Sequence, residues 1–205
     1  TKPFAFEGRR RMQMSDGGIE RLRESADTVI VIPNQTLFRI ADAKRGDIGN
    51  TSAQYAKAFF EAMDFDAVTV APYMGRDSVS PFLDFPGKWS IVLALTSNGG
   101  SADFQFSGDE VPLYERVITR TMEWGSPDNL MFVVGATRDE QLQHLRALAP
   151  EHFFLVPGVG AQGGDLGKIS SLGLTPDGGL LVNASRAILY AGKGEDFADR
   201  ARDVA

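Results

Sequence analysis

The chain has 205 residues, 43% of them hydrophobic and 23% charged, which suits a single soluble domain with a substantial core over residues 1–205. A net charge of −6 gives no electrostatic case for nucleic acid or an anionic membrane surface, and the Arg9-Arg10-Arg11 run is too short to alter that. There is no cysteine, so disulfides, thiol nucleophiles and cysteine-ligated metal are excluded, and a cytoplasmic origin is compatible.

In chain order, Thr1 to Phe6 reads as the end of a strand, and a helix is expected from about Gly18 to Ala26. Two short apolar runs follow, Val29 to Ile32 and Leu37 to Ala41, the second leading into charge. Thr51 or Ser52 is placed to cap a helix whose apolar face is Tyr55, Phe59, Ala62 and Met63. Strands are expected at Ala67–Val70, Trp89–Leu95, Leu130–Val134, Phe153–Val156 and Leu180–Asn183. Between them the spacing predicts helices over Ser78–Leu83, Tyr114–Trp124, Asp139–Ala149 and Asp165–Leu172. In the second of these, Val117, Ile118 and Thr121 share a side; in the third, Leu142, Leu145 and Leu148 point inward. Helices over Ser185–Tyr190 and Glu195–Val204 close the chain. No run approaches transmembrane length, and the N-terminus lacks a secretory pattern.

Short apolar strands separated by helices are the mark of a parallel sheet covered on both faces. About seven strand-helix units are visible, which fits either a doubly wound open sheet or a (β/α)8 barrel. A doubly wound nucleotide fold would carry its glycine-rich phosphate turn after the first strand, and none is found there. Polar clusters instead follow nearly every strand, which favours an α/β barrel of the TIM type, incomplete at its N-terminal end.

Two of these clusters carry the chemistry. The first is Asp42-x-Lys44-x-x-Asp47. On an extended strand Asp42 and Lys44 share a face, with Asp47 in the turn beyond, so an ammonium meets acids at one strand tip. Isolated, such a pattern is a solvated turn; the rest of the chain gives it weight. The second cluster is Val156-Pro157-Gly158-Val159-Gly160-Ala161-Gln162-Gly163-Gly164, paired with Ser185-Arg186 after the next strand. These are the two strand tips where barrels often hold phosphate, on backbone N–H groups and a helix N-terminus. The glycines Gly158, Gly160 and Gly163 let backbone approach a dianion, and Arg186 offers a forked donor set. His144 and His152 are the only histidines, and neither sits in a pattern that suggests a triad or a metal pair.

Taken together, Ile40 to Thr51, Asp66 to Gly75 with its V-x-P-Y-x-G segment, and Pro157 to Gly164 strongly resemble the orotidine 5′-phosphate decarboxylase family, in its bacterial subgroup. The resemblance implies that Lys44 protonates C6 of the pyrimidine as carbon dioxide leaves, and that Asp42 lies against the substrate carboxylate and holds Lys44. It implies that Asp47, with Thr51, reaches the neighbouring site of a homodimer at the ribose. Ser97 matches the serine at the pyrimidine amide edge, Gln162 and Arg186 match the phosphate ligands, and Lys2 corresponds to the family's second-strand lysine. The family uses no metal or organic cofactor, takes orotidine 5′-monophosphate and releases UMP. The aspartate of the family's first strand has no counterpart, so the chain reads as a member lacking its first βα unit. Two alternatives stand beside it: another sugar-phosphate lyase or aldolase with Lys44 as a Schiff-base nucleophile, and an inactive remnant that still binds nucleotide.

Overall fold

Six short runs rich in Val, Leu, Ile and Phe form the strands β1 (Ile40–Arg45), β2 (Ala67–Val70), β3 (Trp89–Leu95), β4 (Leu130–Val134), β5 (Phe154–Pro157) and β6 (Leu180–Asn183). The computed structural model describes residues 39–159, 163–183, 188, 190–192, 194 and 196–204. All neighbouring strands are parallel, in the unbroken order β1 to β6. Each crossover carries one α-helix: α1 (Gly49–Lys57), α2 (Arg76–Leu83), α3 (Leu113–Met122), α4 (Asp139–Leu148) and α5 (Leu166–Gly173).

That order settles the architecture. Crossovers between parallel strands are right-handed, so a sheet whose order never reverses receives every helix on the same face. The other face can be covered only by curling on itself. Its side chains do pack together: Ala67, Ile91, Met131, Val133 and Leu155, ringed by Ile40, Trp89, Leu93, Phe153 and Leu181. On the alternate positions Val68, Val92, Phe132 and Phe154 are fully buried, as are the helix residues Phe82, Ile118, Leu142, Leu145 and Ile169. Burying each such side chain contributes about 1.5–3 kcal/mol. These are six staves of a TIM-type barrel. The expected strand within residues 1–6, the helix 18–26 and the run 29–32 lie outside the described residues.

The first helix departs from expectation. It begins at Gly49, with Ile48 at its cap and no side-chain cap bond. Ser52 instead is buried and donates to the Ser78 carbonyl at 2.7 Å, joining α1 to α2. The buried positions are Ser52, Ala56 and Phe60, whereas Ala62 and Met63 face solvent. A π-turn over Ala58–Ala62 ends the helix and changes its phase, which the 3.6-residue period cannot anticipate. In α4, Leu142 and Leu145 are buried and Leu148 only half so; in α3, Tyr114, Ile118 and Thr121 are buried while Val117 is half-exposed. Helix α2 starts two residues earlier than expected, after Gly75 at φ 93°.

At the strand-entry end a single arginine ties three segments. Arg146, in the last turn of α4, donates to the carbonyls of Gly173 (2.9 Å), Ala149 (2.9 Å), His152 (2.7 Å) and Gly179 (2.8 Å). Its guanidinium lies 3.9 Å from the centroid of the Phe154 ring. Burial pushes its pKa down to about 10, so it stays cationic at neutral pH.

The described residues fall into two compact units, 40–183 and a second holding Arg39 and those from 188 onward. In the second, helix α6 (Phe197–Val204) carries local ion pairs from Arg200 to Asp196 at 2.6 Å and from Arg202 to Asp199 at 2.9 Å. The expected helix at Ser185–Tyr190 lies largely outside the described residues. Among the described residues no helix is long and apolar enough to cross a membrane.

Candidate active site

Strand β1 does not run straight to its tip. Ile40 and Ala41 pair with Ala67 and Val68, but the next partner of Val70 is Arg45. Three residues, Asp42 to Lys44, therefore bulge opposite Thr69 alone. Lys44 takes φ 47°, a left-handed conformation unusual for a residue with a side chain. Such a conformation costs on the order of 1–3 kcal/mol and persists only where its surroundings enforce it.

Thr69 does the enforcing. Its hydroxyl accepts the Lys44 backbone N–H at 2.9 Å and donates to Asp42 Oδ1 at 3.0 Å, with the Ala41 carbonyl at 3.3 Å. Lys44 Nζ then reaches Asp42 Oδ2 at 2.6 Å. The expected pairing is present, but by a different route. Alternation along an extended strand does not operate here; the bulge and Thr69 bring the two side chains together. Both remain open to water, with side chains 53% (Lys44) and 64% (Asp42) exposed.

Asp47 stands apart from the pair. Its Oδ1 accepts from the Ile48 N–H at 2.8 Å, where the chain turns into α1. Among the described residues Asp42 is the carboxylate within ion-pair distance of Lys44, so the second acid expected there does not join it. Thr51 is exposed in the first turn of α1. Tyr73, 85% exposed, and Ile48, 55% exposed, border the same strand tips.

Ser97 follows β3 and is half-buried. It is seated against the end of β4, because a Cβ on Gly135 would lie 2.7 Å from Ser97 N and 2.9 Å from Ser97 Cβ. Only glycine permits that approach. After β5, Gly158 (φ 99°) and Gly163 (φ 89°) take conformations that favour glycine, and Gly164 donates back to the Gly158 carbonyl at 3.4 Å. Asp165 caps α5 by accepting from Lys168 N at 2.9 Å. Lys168 pairs with Asp139 at 2.6 Å, and that hydrogen bond and charge raise the pKa of its amine. Lys2, Gly160, Gln162, Ser185 and Arg186 lie outside the described residues. Among the described residues no group of three or more His, Asp or Glu side chains is placed to hold a metal ion.

Reasoning from the sequence missed Thr69 and Gly135. The first did leave a signal, since it is the lone hydroxyl in the otherwise apolar strand Ala67–Val70.

With this geometry in view, a family model described as orotidine 5′-phosphate decarboxylase / HUMPS family matches residues 19–201. The chain belongs to that family. The orotidine 5′-phosphate decarboxylase of Phocaeicola vulgatus is 57% identical over 163 residues, 78% of this chain and 60% of the relative. That of Bacteroides fragilis is 55% identical over 170 residues, 82% of this chain and 62% of the relative. The chain thus spans about three fifths of the length of these curated relatives. Among solved structures, Leishmania donovani OMP decarboxylase superimposes with a TM-score of 0.71 at 40% identity, covering 80% of this chain and 64% of that one. The Methanocaldococcus jannaschii decarboxylase, solved with the inhibitor BMP, gives 0.64 at 26% identity, covering 80% and 70%. Family membership agrees with the parallel strand order and with an acid-base pair at the tip of a barrel strand.

Proposed function

We infer that the chain carries the decarboxylase chemistry of its family, converting orotidine 5′-monophosphate to UMP and carbon dioxide in the cytoplasm. The single observation that carries this reading is the Lys44–Asp42 pair, 2.6 Å long, on a bulge that Thr69 holds. In the proposed step the bond from C6 to the carboxylate breaks and its electron pair stays on C6. The Lys44 ammonium gives its proton to that carbon, and the resulting amine regains a proton from water. A cation already in place at C6 favours the developing carbanion more than the ground state, which is what lowers a barrier. Asp42 fixes the ammonium and crowds the departing carboxylate. Ser97 meets the base edge, while Gln162, Arg186, Ser185 and the glycines Gly158, Gly160 and Gly163 grip the phosphate; Lys2 is assigned to substrate binding.

A pair this exposed needs cover, since water weakens its field. We assign the cover to substrate and to a second copy of the chain, whose Asp47 and Thr51 enter the site beside the ribose. Asp47 bonds to the Ile48 N–H and makes no ion pair with its own Lys44, and Ile48 and Tyr73 are exposed at the adjoining strand tips, which supports that arrangement.

The test is ultraviolet absorbance of orotidine 5′-monophosphate with the 205-residue chain, scored together with released carbon dioxide. Loss of the orotate band with stoichiometric gas and UMP is expected. An unchanged spectrum at high enzyme concentration, with UMP still bound in calorimetry, would replace this reading with that of a nucleotide-binding remnant.

A further inference from the structure

The loop leaving β3 is held by contacts that its own chemistry does not require. Thr96, the residue before Ser97, is gripped by one side chain: its N–H donates to Gln105 Oε1 at 2.8 Å and its Oγ1 accepts from Gln105 Nε2 at 2.9 Å. The same Thr96 hydroxyl donates to Asn98 Oδ1 at 2.6 Å. Arg138, which precedes α4, reaches across to this loop from the next strand unit. Its Nη2 donates to Ser101 Oγ at 2.7 Å and its Nε to the Thr96 carbonyl at 3.4 Å. The guanidinium also lies 5.2 Å from the centroid of the Phe106 ring, which packs edge-on against buried Tyr114 at 5.3 Å.

Arg138 therefore touches the loop on both sides of Ser97, at residues 96 and 101, while Gly135 in the same turn leaves no room for a side chain between itself and Ser97. Ser101 is buried, so its bond to the guanidinium is sheltered from water. A planar guanidinium fixes two directions at once, which an ammonium on a flexible stem cannot. We propose that Arg138 is a positioning residue that holds Ser97 at the base edge of the bound nucleotide by pinning Thr96 and Ser101. The proposal rests on the reading of Ser97 given above.

A double-mutant cycle tests it, using the full chain with orotidine 5′-monophosphate turnover and UMP affinity as parallel readouts. Arg138→Ala is expected to lower kcat/KM by about 10- to 100-fold, the range set by charge-assisted hydrogen bonds. In a Ser97→Ala background the same substitution is expected to change kcat/KM by no more than about twofold, because the group being positioned is gone. Arg138→Lys should restore part of the loss. Ser101→Ala removes the same anchor by deleting one hydroxyl, and should act in the same direction should Arg138→Ala fail to fold. Equal losses in both backgrounds would mean that Arg138 only stabilises the fold and would overturn the proposal. So would a Ser97→Ala chain as active as the wild type, which leaves nothing to position. A wild-type chain that neither turns over substrate nor binds UMP fails at an earlier point, and takes the functional reading with it.

Discussion

Thr69 is a strand residue that decides where a charge goes. It replaces one strand pairing with two hydrogen bonds, one to the backbone of Lys44 and one to the carboxylate of Asp42. Thr69→Val keeps the shape and removes the hydroxyl. The Lys44 N–H and Asp42 Oδ1 then lose their partner, at a cost of about 1–2 kcal/mol in stability. Catalysis should suffer more than folding, because the left-handed Lys44 conformation loses its support; kcat should fall by about tenfold or more with KM less affected. Steady-state kinetics beside a thermal melt would show it. An unchanged kcat would mean that Asp42 and Lys44 find each other unaided.

Between elements, the strand-entry end is bound by Arg146 and sensitive at His152. His152 is buried against Phe132, ring centroids 5.4 Å apart, and neither ring nitrogen has a hydrogen-bond partner. Burial lowers its pKa below the usual 6.5, Glu151 raises it and Arg146 lowers it. The unfolded chain therefore binds a proton that the folded chain resists. Stability from this group is complete above pH 6.5 and falls as the pH drops below it, by at most about 1.4 kcal/mol per pH unit. His152→Phe should flatten that acid limb in denaturant titrations between pH 7 and 5, and an identical slope in both chains would contradict the assignment. Elements of this kind were partly legible beforehand. Strands β2, β3 and β4 begin and end where the apolar runs do, because burial on both faces leaves a continuous signal. Past the end of α1, Ala62 and Met63 leave the expected face because a π-turn obeys a different period, while Tyr55 and Phe59 sit half-buried beside the buried Ala56 and Phe60. Neither the β1 bulge nor the reach of Arg138 and Arg146 leaves a local trace, since each depends on partners 25 to 42 residues away.

For the whole molecule, barrel and doubly wound sheet were alternatives in the sequence, and strand order decided between them. The candidate site was more legible than its support. Asp42 and Lys44 meet as expected, while Asp47 bonds to the Ile48 N–H and does not pair with Lys44. If Asp47 serves the neighbouring copy, sites are built from two chains. Lys44→Ala and Asp47→Ala chains, each inactive alone, should then recover about one quarter of wild-type activity when mixed and allowed to exchange subunits, because half the dimers hold one intact site of two. No recovery, with exchange verified by mass-labelled chains, would place Asp47 in its own site or outside the chemistry.

The most direct measurement of the central claim is single-turnover decarboxylation of orotidine 5′-monophosphate by Lys44→Ala beside the wild type. The ammonium is assigned both the proton and the charge that C6 requires, so the rate should fall by at least about 10³-fold while UMP affinity changes little. Equal rates in the two chains would remove Lys44 from the reaction.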